Sequence, residues 1–365
     1  MQTTPAVRCA VIGTGHIARE HIPVLQALPE AELVALCDIN ANAVADASKE
    51  FGVAQTFTSL DDLESWGEFD AVYVAVSVLA VAEVAERFIR SGTATFMEKP
   101  PGLYSSDTVR LADAVRETGT IAAVGFNRRH YSSTLAGRQA LLETGDIVSV
   151  TVHADEIGVL LREEQGYGKN FRSDATQKFP PEVAARWMYA NSVHGLDLLR
   201  FFGGDVAKVI PVRQQYVMPI PDSFSALLEF KSGAVGRAIA DHFAPPGTGI
   251  APNGHRYQVR TRNATLTSGS SENPTLAGAT LVRHGHEPVE FSLTGLDRRL
   301  KPGFPGESRA FLQAVQTGNP VSFPSATLDD AVGTMQMLDA ITGAEDWSPQ
   351  ASPFSGPETG ALIQD

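Results

Sequence analysis

Cysteine is scarce in this chain, and its two cysteines do not form a recognisable pair. Cys9 and Cys37 lie within apolar strand patterns and lack the Cys-x-x-Cys spacing of zinc and redox motifs. Both are therefore predicted to be small core residues. Neither a disulfide scaffold nor a metal site is expected.

Long apolar runs and an excess of basic residues are also missing. The longest mostly apolar stretch, residues 71–82, is shorter than the ~20 residues that span a bilayer. The formal net charge of −13 disfavours nucleic acid and anionic lipid as partners. Because residues 1–8 lack the basic and apolar regions of a secretory signal, we expect a cytoplasmic protein without a membrane anchor.

The remaining composition is that of a globular protein large enough for two domains. The chain has 365 residues, of which 43% are hydrophobic, and single cores stop growing at roughly 250–300 residues. Between residues 7 and 125, short β-branched runs alternate with amphipathic helical patterns, which predicts an α/β Rossmann domain with a doubly wound parallel sheet. Beyond residue 127, strand patterns follow one another with few helices, which predicts an α+β domain with a large, mostly antiparallel open sheet. The predicted division is 1–126 for dinucleotide binding, 127–345 for substrate binding and oligomerisation, and 346–365 for a tail.

A glycine-rich turn follows the first predicted strand and opens a helix. In Gly13-Thr-Gly-His-Ile-Ala18, Gly13 permits a tight turn, Gly15 lets backbone amides approach a pyrophosphate, and Ala18 allows close helix packing. A purely structural turn would also fit this motif. We expect His16 and Ile17 in this turn, and Ser77 after a later strand, to contribute to the cofactor site.

Asp38 strengthens the dinucleotide hypothesis, because it ends the second predicted strand. A carboxylate there accepts hydrogen bonds from the adenosine ribose and repels a 2′-phosphate, so NAD is favoured over NADP. The alternative is that Asp38 only caps the helix that begins near Ala41.

Glu98-Lys99-Pro100 ends the fourth of the predicted strands, at the sheet edge where ligands of doubly wound folds bind. An amine beside a nicotinamide ring could relay the proton of a substrate hydroxyl as hydride leaves the same carbon. A solvated surface lysine is the simpler alternative. We expect Glu98 and Lys99 to border the cofactor.

Together with these motifs, two further segments resemble the Gfo/Idh/MocA family, named after glucose–fructose oxidoreductase and inositol dehydrogenase. The segments are Gly125-Phe-Asn-Arg-Arg129 and Asn191-Ser-Val-His-Gly-Leu-Asp197. The resemblance implies a carbohydrate held between two domains, Lys99 and His194 as acid–base residues, and Arg128, Asn191 and Asp197 as substrate-binding residues. A core histidine and a surface aspartate would also fit His194 and Asp197, and salt bridges between domains would fit Arg128.

The chain departs from the family pattern at three places. Ala190 stands where family dehydrogenases often have an aspartate, residues 77–81 replace the usual Pro-x-x-x-His, and Pro101-Gly102 follows the Glu-Lys-Pro motif. The first departure puts the transfer of any particular polyol specificity in doubt. Aromatic and arginine residues before His194 suggest a sugar with an anionic group, although the arginines could equally pair with the excess acids: Arg162, Arg172, Arg186, Trp187 and Tyr189.

The leading hypothesis is an NAD-dependent dehydrogenase that oxidises a secondary hydroxyl of a sugar, sugar acid or polyol. One alternative is an NAD-retaining glycosidase that acts by transient oxidation, elimination and hydration, including on sulfonated sugars. A second alternative is a catalytically silent NAD-binding sensor. The resemblance and the open sheet also predict a homodimer or homotetramer.

Overall fold

A computed structural model describes residues 5–155, 187–190, 192–216, 221–241, 255–268, 278–293 and 300–343. The chain forms two compact units that do not follow chain order. The first comprises Met1–Ser132 and Thr294–Met335, and the second comprises Ser133–Leu293 and Gln336–Asp365. The domain limits predicted from the sequence stay a prediction.

The first unit is built on a parallel sheet whose strands are largely apolar. Buried side chains along both faces of the central strands explain why these strands occur as short, nearly continuous hydrophobic runs. The order is β3-β2-β1-β4-β5-β6, which is that of a doubly wound dinucleotide-binding fold. The strands are β1 Val7–Ile12, β2 Ala31–Cys37, β3 Gln55–Phe57, β4 Ala71–Val74, β5 Ala94–Met97 and β6 Ala122–Val124.

Five helices connect these strands, and local sequence signals define their ends. The side chains of Asn40 and Ser59 accept backbone hydrogen bonds at the starts of two of them. Gly52 and Gly67 end the same two helices in the left-handed conformation. The helices are α1 Ala18–Ala27, α2 Ala41–Phe51, α3 Leu60–Trp66, α4 Val81–Arg90 and α5 Ser105–Thr118. The predicted parallel α/β sheet is therefore confirmed.

The second unit contains an eight-stranded sheet in the order β14-β13-β12-β11-β7-β10-β9-β8. β7 and β10 pair in parallel, while the other neighbours are antiparallel, which confirms the predicted mostly antiparallel sheet. The strands are β7 Ser149–Ala154, β8 Val206–Gln214, β9 Ser223–Phe230, β10 Val235–Asp241, β11 His255–Arg260, β12 Ala264–Ser268, β13 Ala279–Arg283 and β14 Val289–Phe291.

One face of this sheet is packed and the other is exposed. Along β9, Phe224 and Leu228 are buried, whereas Leu227 between them is 50% exposed. Helices α6 Ser132–Leu142, α7 Trp187–Ala190 and α8 Val193–Gly203 belong to this part of the chain. α8 contacts β7, β10 and β11, and Gly195 allows this approach, because a Cβ there would lie 3.0 Å from the Cβ of Ala154.

Two last helices, α9 Phe304–Thr317 and α10 Leu328–Thr342, follow the second sheet in the sequence. α9 packs against α1 and β1 of the first unit, where Phe311 and Leu312 join the core. The division between the units falls within α10. In the part of the chain that the structure describes, no helix combines the length and apolarity needed to cross a bilayer.

Cys9 and Cys37 are both buried and free, as their apolar surroundings in the sequence predict. Burial raises the pKa of the Cys37 thiol to about 11, and the pKa of Cys9 is raised for the same reason. Both side chains are therefore protonated core residues near neutral pH.

Candidate functional site

The turn between β1 and α1 requires glycine at one position and leaves space at another. Gly13 has φ +89°, and a Cβ on it would lie 2.4 Å from the carbonyl oxygen of Ala75. Gly15 is exposed, and a Cβ there would meet nothing within 4 Å. The backbone of the turn is therefore open to a ligand on the side of Gly15, beside the N-terminus of α1. His16 is exposed and Ile17 is half-buried in the same turn.

Asp38 follows β2 and is tied to this turn by its carboxylate. The backbone N–H and the hydroxyl of Thr14 donate to its Oδ2 at 2.8 and 2.9 Å. The backbone N–H of Asn40 donates to Oδ1 at 2.9 Å. Asn40, not Asp38, caps α2, so the capping alternative for Asp38 is not what the structure shows. A carboxylate has about four acceptor sites, which leaves capacity for a ribose hydroxyl.

These residues lie at the point where the strand order reverses, between β1 and β4. Ligands of open α/β sheets bind at this switch point, beyond the carboxyl ends of the strands. Ser77 follows β4 there and is exposed. The tight turn at Gly13, the open space at Gly15 and the acceptor at Asp38 fit an NAD adenosine and pyrophosphate.

Glu98 and Lys99 follow β5 at the same edge of the sheet. Glu98 is buried, whereas Lys99 is half-buried. The backbone N–H of Lys99 donates to Glu98 Oε2 at 3.1 Å, and the Lys99–Pro100 peptide bond is cis. The β5 edge therefore holds a lysine directly beside a buried carboxylate.

Arg128 lies in a short 3-10 helix, Asn127–His130, that follows β6. It is buried, as are its neighbours Asn127 and Arg129. Asn127 donates to the carbonyl oxygen of Pro302 at 3.1 Å. Arg129 lies 3.6 Å from Asp330, so an ion pair engages its guanidinium within the first unit.

In the second unit, His194 and Asp197 lie on α8 and both are buried. Their three-residue spacing places them on one side of the helix. Four other residues that the sequence analysis singled out lie outside the described residues: Asn191, Arg162, Arg172 and Arg186.

Polar residues that the sequence analysis did not select lie at the start of β11, near His194, and at the end of β7. The rings of His194 and His255 lie 6.5 Å apart, and His255, at the start of β11, pairs with Ala154 at the end of β7. Neither ring nitrogen of His255 has a hydrogen-bond partner among the described residues. Asp155 lies directly after β7, and its carboxylate oxygen Oδ1 also has no hydrogen-bond partner among the described residues.

Electrostatics distinguish Asp155 from an ordinary surface carboxylate. Burial, with Asp241 nearby, raises its pKa to about 7, against the attraction of Arg256. Arg256 lies 3.9 Å from Asp155 Oδ2. A carboxyl group that titrates near neutral pH, with one oxygen that has no hydrogen-bond partner among the described residues, is typical of a ligand site. The available sequence signal was an aspartate at a strand end, before a long polar segment.

Comparison with known proteins defines the class first. Residues 7–126 match "Oxidoreductase family, NAD-binding Rossmann fold", and residues 141–346 match "Oxidoreductase family, C-terminal alpha/beta domain". The protein is therefore an NAD-binding oxidoreductase. It belongs to the Gfo/Idh/MocA family, which confirms the resemblance predicted from the motifs.

Named relatives match parts of the chain. A dTDP-3,4-didehydro-2,6-dideoxy-alpha-D-glucose 3-reductase from Streptomyces violaceoruber is 33% identical over 150 residues, which are 41% of this chain and 43% of that protein. An inositol 2-dehydrogenase from Gluconacetobacter diazotrophicus is 32% identical over 232 residues, 61% of this chain and 64% of the relative. These matches thus span less than two thirds of either relative.

A solved levoglucosan dehydrogenase, in complex with NADH and levoglucosan, shares the fold. The TM-score is 0.79 with 16% identity, over 94% of this chain and 98% of that chain. At this identity the likeness concerns the fold alone.

Proposed function

We propose that this protein is an NAD-dependent dehydrogenase that oxidises a secondary hydroxyl of a polyol, sugar or sugar acid. The observation that carries the proposal is Lys99 at the carboxyl end of β5, beside buried Glu98, in a sheet whose glycine turn fits NAD. The inositol dehydrogenase and the sugar nucleotide reductase among the relatives support this substrate class. They give no support to a glycosidase or a silent sensor.

In this reaction the carbon–hydrogen bond of the substrate breaks with its electron pair, and the hydroxyl loses a proton. NAD, when bound, supplies the hydride acceptor. The Lys99 amine takes the hydroxyl proton. The hydrogen bond from the backbone N–H of Lys99 to Glu98 fixes the backbone from which the lysine side chain extends. Partial burial limits competing water at the amine.

His194 and Asp197 remain our candidates for substrate contacts in the second unit, with His194 as a second acid–base group. We add Asp155 and His255 to them. The ring nitrogens of His255 and Oδ1 of Asp155, which have no hydrogen-bond partner among the described residues, suit hydroxyl groups, which both donate and accept hydrogen bonds. Arg128 and Asn191 stay predicted substrate-binding residues, and an anionic substituent on the sugar stays a hypothesis.

The Lys99→Ala variant tests the acid–base role. We expect kcat to fall by roughly 10²–10⁴, the usual contribution of general acid–base catalysis, while the affinity for NAD changes little. Lys49→Ala is the matched control, since Lys49 is an exposed lysine in the last turn of α2. Unchanged turnover in Lys99→Ala would refute the assignment.

We also propose that the exposed face of the second sheet is covered by another copy of the chain, in a homodimer or homotetramer. Leu227 pairs with Ile210 on β8 and with Arg237 on β10, and Val212 and Val235 are exposed on the same face. Side chains of this kind form an apolar patch that a partner would bury.

Light scattering of the Leu227→Glu variant tests this proposal. A glutamate at the centre of the patch is expected to lower the molar mass to that of the monomer, whereas Glu32→Gln, at an exposed residue of β2 in the first unit, leaves it unchanged. A monomeric wild-type protein would contradict the proposal.

A further inference from the structure

Three ionisable side chains, including that of Glu98 beside Lys99, meet in the core of the first unit. His21 comes from α1, Glu98 follows β5, and Glu307 lies in the first turn of α9. One ligand atom from each lies within 4.8 Å of those of the other two. His21, Glu98 and Glu307 are 0%, 6% and 3% exposed, so the cluster is shielded from solvent.

The hydrogen bonds within the cluster are unequal. Glu98 Oε1 lies 2.7 Å from His21 Nε2, and Glu98 Oε2 accepts the backbone N–H of Lys99 at 3.1 Å. Neither carboxyl oxygen of Glu307 has a hydrogen-bond partner among the described residues. Both oxygens of Glu98 therefore have hydrogen-bond partners, while neither oxygen of Glu307 has one among the described residues.

The walls of the cluster are aromatic. The ring of His21 lies 4.8 Å from that of Phe304, 5.3 Å from that of Phe96 and 5.7 Å from that of Tyr73. An ionised carboxylate without donors is strongly disfavoured in such surroundings, and two neighbouring carboxylates do not both ionise. Negative charge is therefore favoured on Glu98, which accepts the backbone N–H of Lys99, over Glu307, which has no donor among the described residues.

We propose that Glu307 carries a proton at neutral pH, and that this neutral carboxyl group, together with His21, positions Glu98 and through it Lys99. Glu307 and His21 are positioning residues, because both act on Lys99 through Glu98. The part of the proposal that concerns Lys99 rests on the proposed dehydrogenase function. The protonation of Glu307 does not.

Electrostatics agree with this geometry. Burial and the nearby Glu98 raise the pKa of Glu307 well above its usual range, and Lys99 opposes the shift. The same cluster could offer ligands to a metal ion. The positive charge of Lys99 and the aromatic walls disfavour a second cation there, so a proton is the better occupant.

Infrared spectroscopy of the purified protein tests the protonation directly. The test is made in an Asp155→Asn background, because Asp155, with a pKa of about 7, would give a band of its own at this pH. There we expect a carbonyl band of a protonated carboxyl group at pH 7 that disappears when Glu307→Gln is added and persists when Glu32→Gln is added, a matched change at an exposed residue of β2. A band that is absent from Asp155→Asn, or that survives the addition of Glu307→Gln, would overturn the proposal. So would a stoichiometric metal ion that is lost from Glu307→Gln.

The pH dependence of unfolding gives a second test that needs neither cofactor nor substrate. A carboxyl group that stays protonated when folded binds more protons than the unfolded chain above the usual pKa of glutamate. The folding equilibrium constant should then fall by up to about tenfold per pH unit above that range. Above about pH 8, where Asp155 is already ionised, Glu307→Gln should lose this slope and Glu32→Gln should keep it; equal slopes in all three proteins would contradict the proposal.

The link to Lys99 is tested by the pH profile of hydride transfer. Glu307→Gln and Glu98→Gln should displace the limb of kcat that reports the acid–base group, without a comparable change in KM for NAD. Profiles that superimpose on that of wild type would overturn the positioning role. If Lys99→Ala instead retains turnover, the dehydrogenase assignment fails while the infrared result still decides where the proton lies.

Discussion

Asp38 in the first unit and Asp155 in the second each follow a strand of their sheet, yet their carboxylates differ in their surroundings. Asp38 accepts three hydrogen bonds, all from Thr14 and Asn40. Asp155 has a pKa of about 7 and one oxygen that has no hydrogen-bond partner in the part of the chain that the structure describes. The carboxylate at the proposed cofactor site is thus held by hydrogen bonds from neighbouring residues, whereas the carboxylate at the proposed substrate site leaves an oxygen for a ligand to satisfy.

The two sites differ because each must recognise a different chemical group. A pyrophosphate is held by backbone amides and a helix N-terminus, so the turn can be complete before the cofactor arrives. Hydroxyl groups of a polyol are recognised by side chains that donate and accept. Buried groups of this kind are costly when unpaired, and ligand binding relieves that cost.

Two glycine substitutions should separate the folding role of the first site from its binding role, and the larger effect is expected at Gly13. Gly13→Ala places a Cβ on a residue whose φ is positive and against the carbonyl oxygen of Ala75. This should destabilise the protein by at least about 1–3 kcal/mol. Gly15→Ala meets no atom, so it should fold normally and bind NAD more weakly. Chemical denaturation and NAD titration measure the two effects; equal stability loss in both variants would contradict this reading.

Two aspartate substitutions sharpen the contrast between the units. Asp38→Asn removes acceptor capacity toward Thr14 and the negative charge that repels a 2′-phosphate, so NAD affinity should fall about tenfold and the preference over NADP should narrow. Asp155→Asn should leave NAD affinity unchanged and raise KM for the substrate. A shift of NAD affinity in Asp155→Asn would break the comparison.

The smallest expected effect is the contribution of Asp155 to pH-dependent stability. Its folded pKa of about 7 exceeds the unfolded value, so the folded protein binds more protons between roughly pH 4 and 7. The stability that this group contributes is present below that interval and decreases as pH rises through it, by on the order of 1 kcal/mol after solvent screening. Denaturation of Asp155→Asn at pH 5 and pH 8 should show a smaller difference than wild type.

The sequence predicted the first unit well because its signals are local. Hydrophobic runs at residues 7–12, 32–37, 71–76, 93–97 and 121–125 predict five of the six parallel strands, and the amphipathic stretch 41–51 predicts α2 with its observed bounds. The missed strand, β3, is Gln55–Phe57, with two exposed residues of three. Its pairing with β2 at the edge of the sheet, and not its own apolar content, makes it a strand.

The second site was harder to predict because its residues meet through strand register. Asp155 follows β7, Asp241 ends β10 and His255 begins β11, and these strands are neighbours in the sheet but distant in the sequence. No spacing rule brings such residues together. For the same reason no sequence pattern predicts that Glu307 in α9 joins His21 and Glu98, since a glutamate in the first helical turn is common.

The proposed dehydrogenase activity is tested most directly by near-ultraviolet absorbance of the purified protein mixed with NAD and a panel of polyols, sugars, sugar acids and glycosides. We predict that reduced nicotinamide accumulates with at least one polyol, sugar or sugar acid, and that Lys99→Ala abolishes most of this accumulation. No accumulation with any compound, from a protein that binds NAD, would contradict the account.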